Sequence, residues 1–205
     1  SAWVELDKLS AAGIPTNNDL QTIVGRFGGT SGVNRAFLLE ELDGGKLRLA
    51  IDNTFSVTTD AAVFEVGKPI HVAATYDGST VKLFVNGEVV KTAATTTAIP
   101  DAVGLDTLIG DINISQDRFV DGRIADVAIY NQGISDADVA SIFSNGVDDG
   151  AAGLIGHYNL GAADVEAGTV ADLSQAGNDA NLGTTATAGE TDGTDGMGGP
   201  AAAAA

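Results

Sequence analysis

The stretch from Ile70 to Lys91 constrains the fold more than any other part of this chain. Ile70-His-Val-Ala-Ala-Thr-Tyr76 alternates in side-chain character, and Val81-Lys-Leu-Phe-Val85 and Glu88-Val-Val-Lys91 follow it. Asp77-Gly78 separates the first two runs and Asn86-Gly87 the last two. A period of two sends successive side chains to opposite faces of a strand. An Asn-Gly pair supplies the positive φ that both corners of a type I′ hairpin turn require. Runs joined by turns this tight pair with their sequence neighbours, so residues 70–91 read as an antiparallel meander.

The same period recurs elsewhere. Lys46-Leu-Arg-Leu-Ala-Ile51 puts Leu47, Leu49 and Ile51 on one face and Lys46 and Arg48 on the other. Asp106-Thr-Leu-Ile-Gly110 and Arg123-Ile-Ala-Asp-Val-Ala-Ile-Tyr130 add two further strands. One short helix interrupts the pattern. Ser135 is its N-cap, Asp138 closes a capping-box-like pair, and Gly146 sits where a stop is expected. Val139, Ile142 and Phe143 form a single narrow apolar stripe, which suits packing across one edge of a sheet rather than a partner protein. With 27 glycines in 205 residues, the chain reads as one large all-β domain with one short helix. Beyond Gly183 the composition falls to Thr, Gly, Asp and Ala. Residues 183–205 are therefore expected to be a linker or the start of a following strand.

The formal charge is −18, carried by 28 acidic against 10 basic residues. Such a surface repels phosphate backbones and anionic lipid, which argues against nucleic acid as a partner. No apolar run reaches the length of a membrane span, so membrane insertion is not expected. Aspartate outnumbers glutamate, which suits both turns and calcium loops. Without cysteine, disulfides, thiolate metal sites and cysteine nucleophiles are excluded.

Several strings occur together in one order: Ser1-Ala-Trp-Val4, Gln21-Thr-Ile-Val24, Gly45-Lys-Leu-Arg-Leu49, His71-Val-Ala-Ala-Thr-Tyr-Asp-Gly78, Leu83-Phe-Val-Asn-Gly87, Leu108-Ile-Gly110 and Asp121-Gly-Arg-Ile-Ala-Asp-Val-Ala-Ile-Tyr-Asn131. In that order they resemble a concanavalin A-like lectin/glucanase module of the laminin-G (pentraxin/laminin-G) type. The resemblance implies a two-sheet antiparallel β-sandwich, or jelly roll, over residues 1–182. Gly153-Leu-Ile-Gly-His-Tyr-Asn-Leu160 and Asp172-Leu-Ser-Gln-Ala-Gly-Asn-Asp-Ala-Asn-Leu182 resemble the opening of such a module. That opening segment, residues 153–182, is thus expected to be displaced to the C-terminal side of the domain, with residues 154–160 completing a sheet edge.

The chemistry is less marked than the fold. Relatives that hydrolyse glucans need a pair of carboxylates projecting from one strand. Glu5-Leu-Asp7 offers the start of that pattern, but Ser10 stands where the second glutamate belongs. Retaining hydrolysis needs a nucleophile and an acid roughly 5 Å apart, so no catalytic residue is assigned and an enzyme is not expected. His71 and Tyr76 lie five positions apart on one strand and so on opposite faces. His157 falls in the displaced segment, and both histidines read as structural. The resemblance further implies a structural calcium ion, with Asp172, Asn178 and Asp179 in the opening loop. Asp126 is the remaining half of an acidic pair, and Asp121 or Asp111 could rebuild the site. Glycan binding favours aromatic platforms. Trp3 matches a core position of the family, and Phe37, Phe84 and Tyr130 are candidates for display whose simpler fate is core burial.

Two functions follow from the resemblance. One is a non-catalytic extracellular or cell-surface module for recognition or adhesion, binding glycan or a surface partner with or without calcium, as one repeat of a larger protein. The other is a structural repeat of a surface filament or adhesin that joins further copies by strand addition. A polysaccharide-degrading enzyme is the distant third.

Overall fold

The computed structural model describes residues 1–13, 20–27, 35–102, 104–111, 118–161 and 168–181. The C-terminal linker expected over 183–205 lies outside the described residues. The expected meander forms from β6 (Ile70–Tyr76), β7 (Thr80–Val85) and β8 (Glu88–Ala94). Asn86 and Gly87 take φ of 49° and 80° at its second corner, as the turn chemistry requires.

Two five-stranded antiparallel sheets face each other. The first, sheet I, adds β1 (Ala2–Leu6) and β10 (Gly122–Ala125) to the meander in the order β10-β1-β6-β7-β8. The second, sheet II, is built from β2 (Gln21–Phe27), β3 (Arg35–Leu42), β4 (Lys46–Ile51), β5 (Phe55–Thr58) and β9 (Leu108–Ile109), in the order β5-β4-β3-β2-β9. This is the two-sheet antiparallel sandwich that the resemblance implies. Val4, Leu6, Val72, Val81 and Leu83 of sheet I pack against Ile23, Leu39, Leu47, Leu49 and Ile51 of sheet II in one buried cluster. Each alternates with outward residues along its strand, so the period-two reading locates the core directly.

The strand expected over 123–130 divides in two. Asp126 adopts φ 53°, which ends β10 and starts β11 (Val127–Tyr130). A left-handed residue interrupts the pleat, and aspartate tolerates it better than most side chains. β11 then pairs with β12 (Leu154–Tyr158), with Val127 opposite Tyr158 and Ala128 opposite His157. The segment expected over 154–160 thus forms a strand that pairs within this chain, in a separate two-stranded sheet. Beyond it, β13 (Thr169–Val170) and β14 (Ala180–Asn181) form a short hairpin, and Val170 reaches the main core.

The helix α1 (Asp136–Asn145) carries the expected capping box between Ser135 and Asp138. It covers the outer face of sheet I. Phe143 packs on Trp3 and His71, with ring centroids 5.7 and 5.9 Å apart. His71 is buried there while Tyr76, five residues on, packs into the intersheet core. The opposite-face reading of that pair holds. At the other end of β1, Gly122 has φ 151°, and a Cβ on it would stand 2.0 Å from the Glu5 carbonyl oxygen. Only glycine lets β10 approach β1 so closely.

Candidate functional site

Strand register lines up polar side chains across the outer face of sheet II. Arg48 stands opposite Thr58 on one side and Glu40 on the other, and Glu40 stands opposite Thr22. The Thr22 N–H donates to the Arg118 carbonyl at 3.0 Å, which places residue 118 at the end of the row. Glu40 is fully buried at the centre. Arg48 donates to its Oε1 from Nε at 2.8 Å and from Nη2 at 2.6 Å, and Arg118 Nη1 approaches Oε2 at 3.4 Å. Two guanidiniums thus meet at one buried carboxylate within a strongly acidic chain.

Arg48 spends two of its nitrogens on Glu40, and its Nη1 has no hydrogen-bond partner among the described residues. Its side chain remains 24% exposed, so spare donors face solvent from a guanidinium already fixed in orientation. The Thr22 hydroxyl is buried without a partner. The adjoining row consists of Ser56, Ala50, Leu38 and Gly25. Phe27 packs beside Leu38 and Ala50 in a small separate cluster. A row of small and apolar residues therefore runs beside the polar row, with Ser56 exposed, Ala50 half-buried, and Leu38 and Gly25 buried. Next to Arg118 in the chain, Phe119 is 55% exposed.

These residues were largely missed by sequence reasoning. Arg48 was placed on an outward face, but Glu40 and Glu41 were not singled out. The available signal was the pair of glutamates breaking an otherwise apolar run from Phe37 to Leu42. Consecutive strand residues point to opposite faces, and here both are fully buried. Glu41 serves the other face. It accepts hydrogen bonds from Ser10 Oγ at 2.8 Å, Gln21 Nε2 at 3.1 Å and the Gly45 N–H at 2.8 Å. Burial raises its pKa in spite of these donors. Glu41 fastens the turn at residues 43–45 to the loop at Ser10, a structural task.

The aromatic candidates stay inside. Phe84 is fully buried, Phe37 packs against the main core, and Tyr130 is half-buried. Glu5 pairs with Arg123 at 3.2 Å on the outer face of sheet I.

Of the residues expected to hold calcium, Asp121 and Asp126 flank the two ends of β10. Asp172, Asn178 and Asp179 do share one loop. Asp172 Oδ1 accepts the backbone N–H of His157 and of Ser174, each at 2.9 Å. Its Oδ2 accepts the Ser174 hydroxyl at 2.8 Å and the Asn178 N–H at 2.9 Å. A carboxylate offers about four acceptor sites, so this one is saturated by its own chain. These bonds hold its pKa below the usual carboxylate range against the opposing effect of burial. Asp179 accepts the Asp172 N–H at 3.0 Å, and the Asn178 amide donates to the Ile155 carbonyl at 2.7 Å.

Asp126 belongs to a different set. His157 lies between two carboxylates, with Nε2 2.6 Å from Asp126 and Nδ1 2.5 Å from Asp149. Burial opposes the imidazolium, but the two hydrogen bonds and charges outweigh it and raise the His157 pKa. Asp121 sits at the opposite end of β10, exposed, with its N–H on Gln21 Oε1. Asp111 follows β9 on sheet II. Among the described residues no three acidic or histidine side chains surround a common point. Calcium needs six to eight oxygens, and Asp172 could supply one only by releasing a donor. Through Asp172 and Asn178 the loop is tied to His157 and Ile155 of β12.

A sequence profile of the concanavalin A-like lectin/glucanases superfamily matches residues 1–140. The chain belongs to this superfamily. Solved structures share the fold. A "putative carbohydrate binding protein" from Bacteroides ovatus ATCC 8483 superposes with a TM-score of 0.69 at 21% identity, over 89% of this chain and 50% of that one. The present chain thus spans half the length of that protein. The CBM40 module of a Ruminococcus gnavus IT-sialidase gives 0.53 at 18% identity, over 69% and 79%. A heptameric SAP-like pentraxin from Limulus polyphemus gives 0.54 at 15% identity, over 71% and 69%. No curated protein matches the sequence. Among the described residues no helix is long and apolar enough to cross a membrane.

Proposed function

We propose that this chain is a non-catalytic carbohydrate-recognition module that binds glycan on the outer face of sheet II. The observation that carries this reading is the row Thr58–Arg48–Glu40–Thr22 beside the flat strip Ser56–Ala50–Leu38–Gly25. A sugar ring has an apolar C–H face and a polar rim of hydroxyls. The strip accepts the first, and the prefixed Arg48 guanidinium donates to the second. Orienting groups of this kind, placed on a rigid scaffold, are what small-molecule sites use for specificity. The fold shared with the Ruminococcus gnavus module, which has been solved bound to α2,3-sialyllactose, supports the same class of ligand.

Catalysis is not part of the proposal. Both oxygens of Glu40 are already engaged by guanidiniums. Glu5 is likewise paired with Arg123. The module acts outside the cell as part of a larger surface protein. The high acidity, which keeps it soluble and apart from anionic polymers, is in keeping with that setting.

The test is a glycan array probed with the natural chain and with Arg48→Met. The natural chain binds a defined subset of glycans. The variant, folded by circular dichroism, loses that subset. A natural chain that binds no glycan overturns the proposal.

A further inference from the structure

The chain leaves β11 after Tyr130 and returns to the sheet at Leu154, and α1 occupies the excursion between. The base of that excursion is pinned independently of the helix. The Asn131 N–H donates to the Gly153 carbonyl at 2.9 Å and the Gln132 amide to the Ala152 carbonyl at 3.0 Å, and the β11–β12 ladder continues from there. Residues 131–133 and 144–146, before and after the body of the helix, are exposed. Inward, Val139 packs with Ala73, Phe84 and Ile134 in a cluster separate from the main core. The ion pair of Lys82 with Asp136, at 2.7 Å, ties the first turn to β7. The helix is thus docked through a small patch and flanked by exposed hinges. Segments with few buried apolar contacts open at lower free energy than the core.

Under the helix lies a buried base. His71 is fully buried beneath Phe143 and beside Trp3. Neither of its ring nitrogens has a hydrogen-bond partner among the described residues. Such a site tolerates the neutral imidazole and opposes the cation. Burial is the largest cause of the His71 pKa being lowered to about 4; the Ser1 ammonium adds to it, and Asp126 works against it. The other charges on the surrounding elements are engaged elsewhere. Glu5 pairs with Arg123, Lys82 with Asp136, Asp126 with His157, and Asp138 accepts from Ser135. Glu88, beyond the Asn86-Gly87 turn, is exposed. A proton on His71 therefore finds a hydrogen-bond acceptor only when water reaches the ring, and α1 stands in the way.

We infer that α1 is a flap that opens on acidification, with His71 beneath it as the trigger. The docked helix holds His71 neutral, and the open flap returns it to water. Docking is unaffected above the ordinary imidazole value of about 6.5. It weakens as pH falls towards the docked value of about 4, an interval over which linkage shifts the docked-to-open ratio by up to about 300-fold. Asp138 acts in the same direction at lower pH. Its hydrogen bonds with Ser135 hold its pKa below the usual carboxylate range, and protonation there removes the capping box and frays the start of the helix. Opening bares Trp3, Ala73 and Phe84 on the outer face of sheet I and leaves the intersheet core intact.

The experiment follows hydrogen exchange of the full chain by mass spectrometry from about pH 7 to about pH 4, corrected for the intrinsic pH dependence of exchange. Residues 136–145 are expected to lose protection on the order of tenfold or more between about pH 6.5 and about pH 4.5, while β2, β3 and β4 keep theirs. The fluorescence of Trp3, the sole tryptophan, is expected to change over the same interval. His71→Phe, which fills the site with a ring that takes no proton, is expected to keep α1 protected throughout. Loss of protection in α1 and sheet II together overturns the inference, because that is acid unfolding of the whole sandwich. So does an α1 that stays protected in the natural chain, or a His71→Phe variant that opens at the same pH. If that variant fails to fold, NMR titration of the natural chain decides the matter: the His71 imidazole and the α1 amides must share one midpoint, and separate midpoints overturn the inference. None of these outcomes depends on the glycan site, because the flap covers sheet I and not the outer face of sheet II.

Discussion

Replacing Glu40 with glutamine probes the polar row most sharply. The substitution keeps the shape of the side chain and removes its charge, which takes from Arg48 its ion-pair partner and from Arg118 one of its contacts. Glu40 is fully buried and the Arg118 side chain is 8% exposed, so neither end of that pair recovers full hydration. Removing one member of a buried ion pair costs about 3–5 kcal/mol. Arg48 is 24% exposed and regains some solvent, which places the expected loss near the lower end, at about 3 kcal/mol. For a chain of this size that corresponds to a fall in Tm of roughly 6–12 °C. Urea denaturation followed by tryptophan fluorescence gives the free energy directly. The double variant Glu40→Gln/Arg48→Met is expected to lose less than the sum of its parts, because the second change removes the charge stranded by the first. A loss below about 1 kcal/mol for Glu40→Gln, with additive behaviour in the double variant, would refute the view that the row is one coupled unit.

Other outcomes follow from single contacts. Gly122→Ala is expected to destabilise the fold by several kcal/mol, on the order of the larger point-mutant effects, because its Cβ would stand 2.0 Å from the Glu5 carbonyl oxygen; a thermal melt within 2 °C of the natural chain would contradict this. Burial lowers the His71 pKa to about 4. The folded state therefore resists a proton that the unfolded chain accepts below about pH 6.5, and about 3 kcal/mol of stability is lost as pH falls from 6.5 towards 4. His71→Phe should flatten that part of the stability–pH curve. His157 has the opposite sign. Its raised pKa contributes stability that is complete below about pH 6.5 and disappears as pH rises through the folded value, so His157→Gln should lose most at acid pH. Adding calcium or a chelator is expected to leave Tm unchanged, since Asp172 already accepts four hydrogen bonds. A rise of several degrees with calcium would show that the loop rearranges around an ion.

Much of the architecture was legible because it depends on local rules. The Asn86-Gly87 turn, the alternation along Lys46–Ile51 and the Ser135 capping box each specify their own geometry within a few residues, and each forms as read. The break at Asp126 was not legible. Nothing in Arg123–Tyr130 interrupts the apolar alternation, and the left-handed residue arises where β10 leaves β1 and β11 meets β12. The site was hidden for a related reason. Glu40 gains its meaning from Arg48, eight residues away, and from Arg118, seventy-eight residues away. Only register brings them together. Asp172, Asn178 and Asp179 show the converse, being neighbours in sequence and in space, but that Asp172 and Asp179 accept from the loop's own donors while the Asn178 amide donates to the Ile155 carbonyl is announced by no spacing rule.

The placement of the ligand is the centre of the account, and an NMR titration tests it most directly. A glycan selected from the array would be added to the isotopically labelled chain while backbone and arginine side-chain resonances are followed. The account predicts saturable shifts at Arg48, Thr58, Ala50 and Leu38, with the Arg48 guanidinium among the largest, and little change at residues 172–179. Shifts confined to the loop of Asp172 and His157, with the outer face of sheet II unmoved, would contradict it.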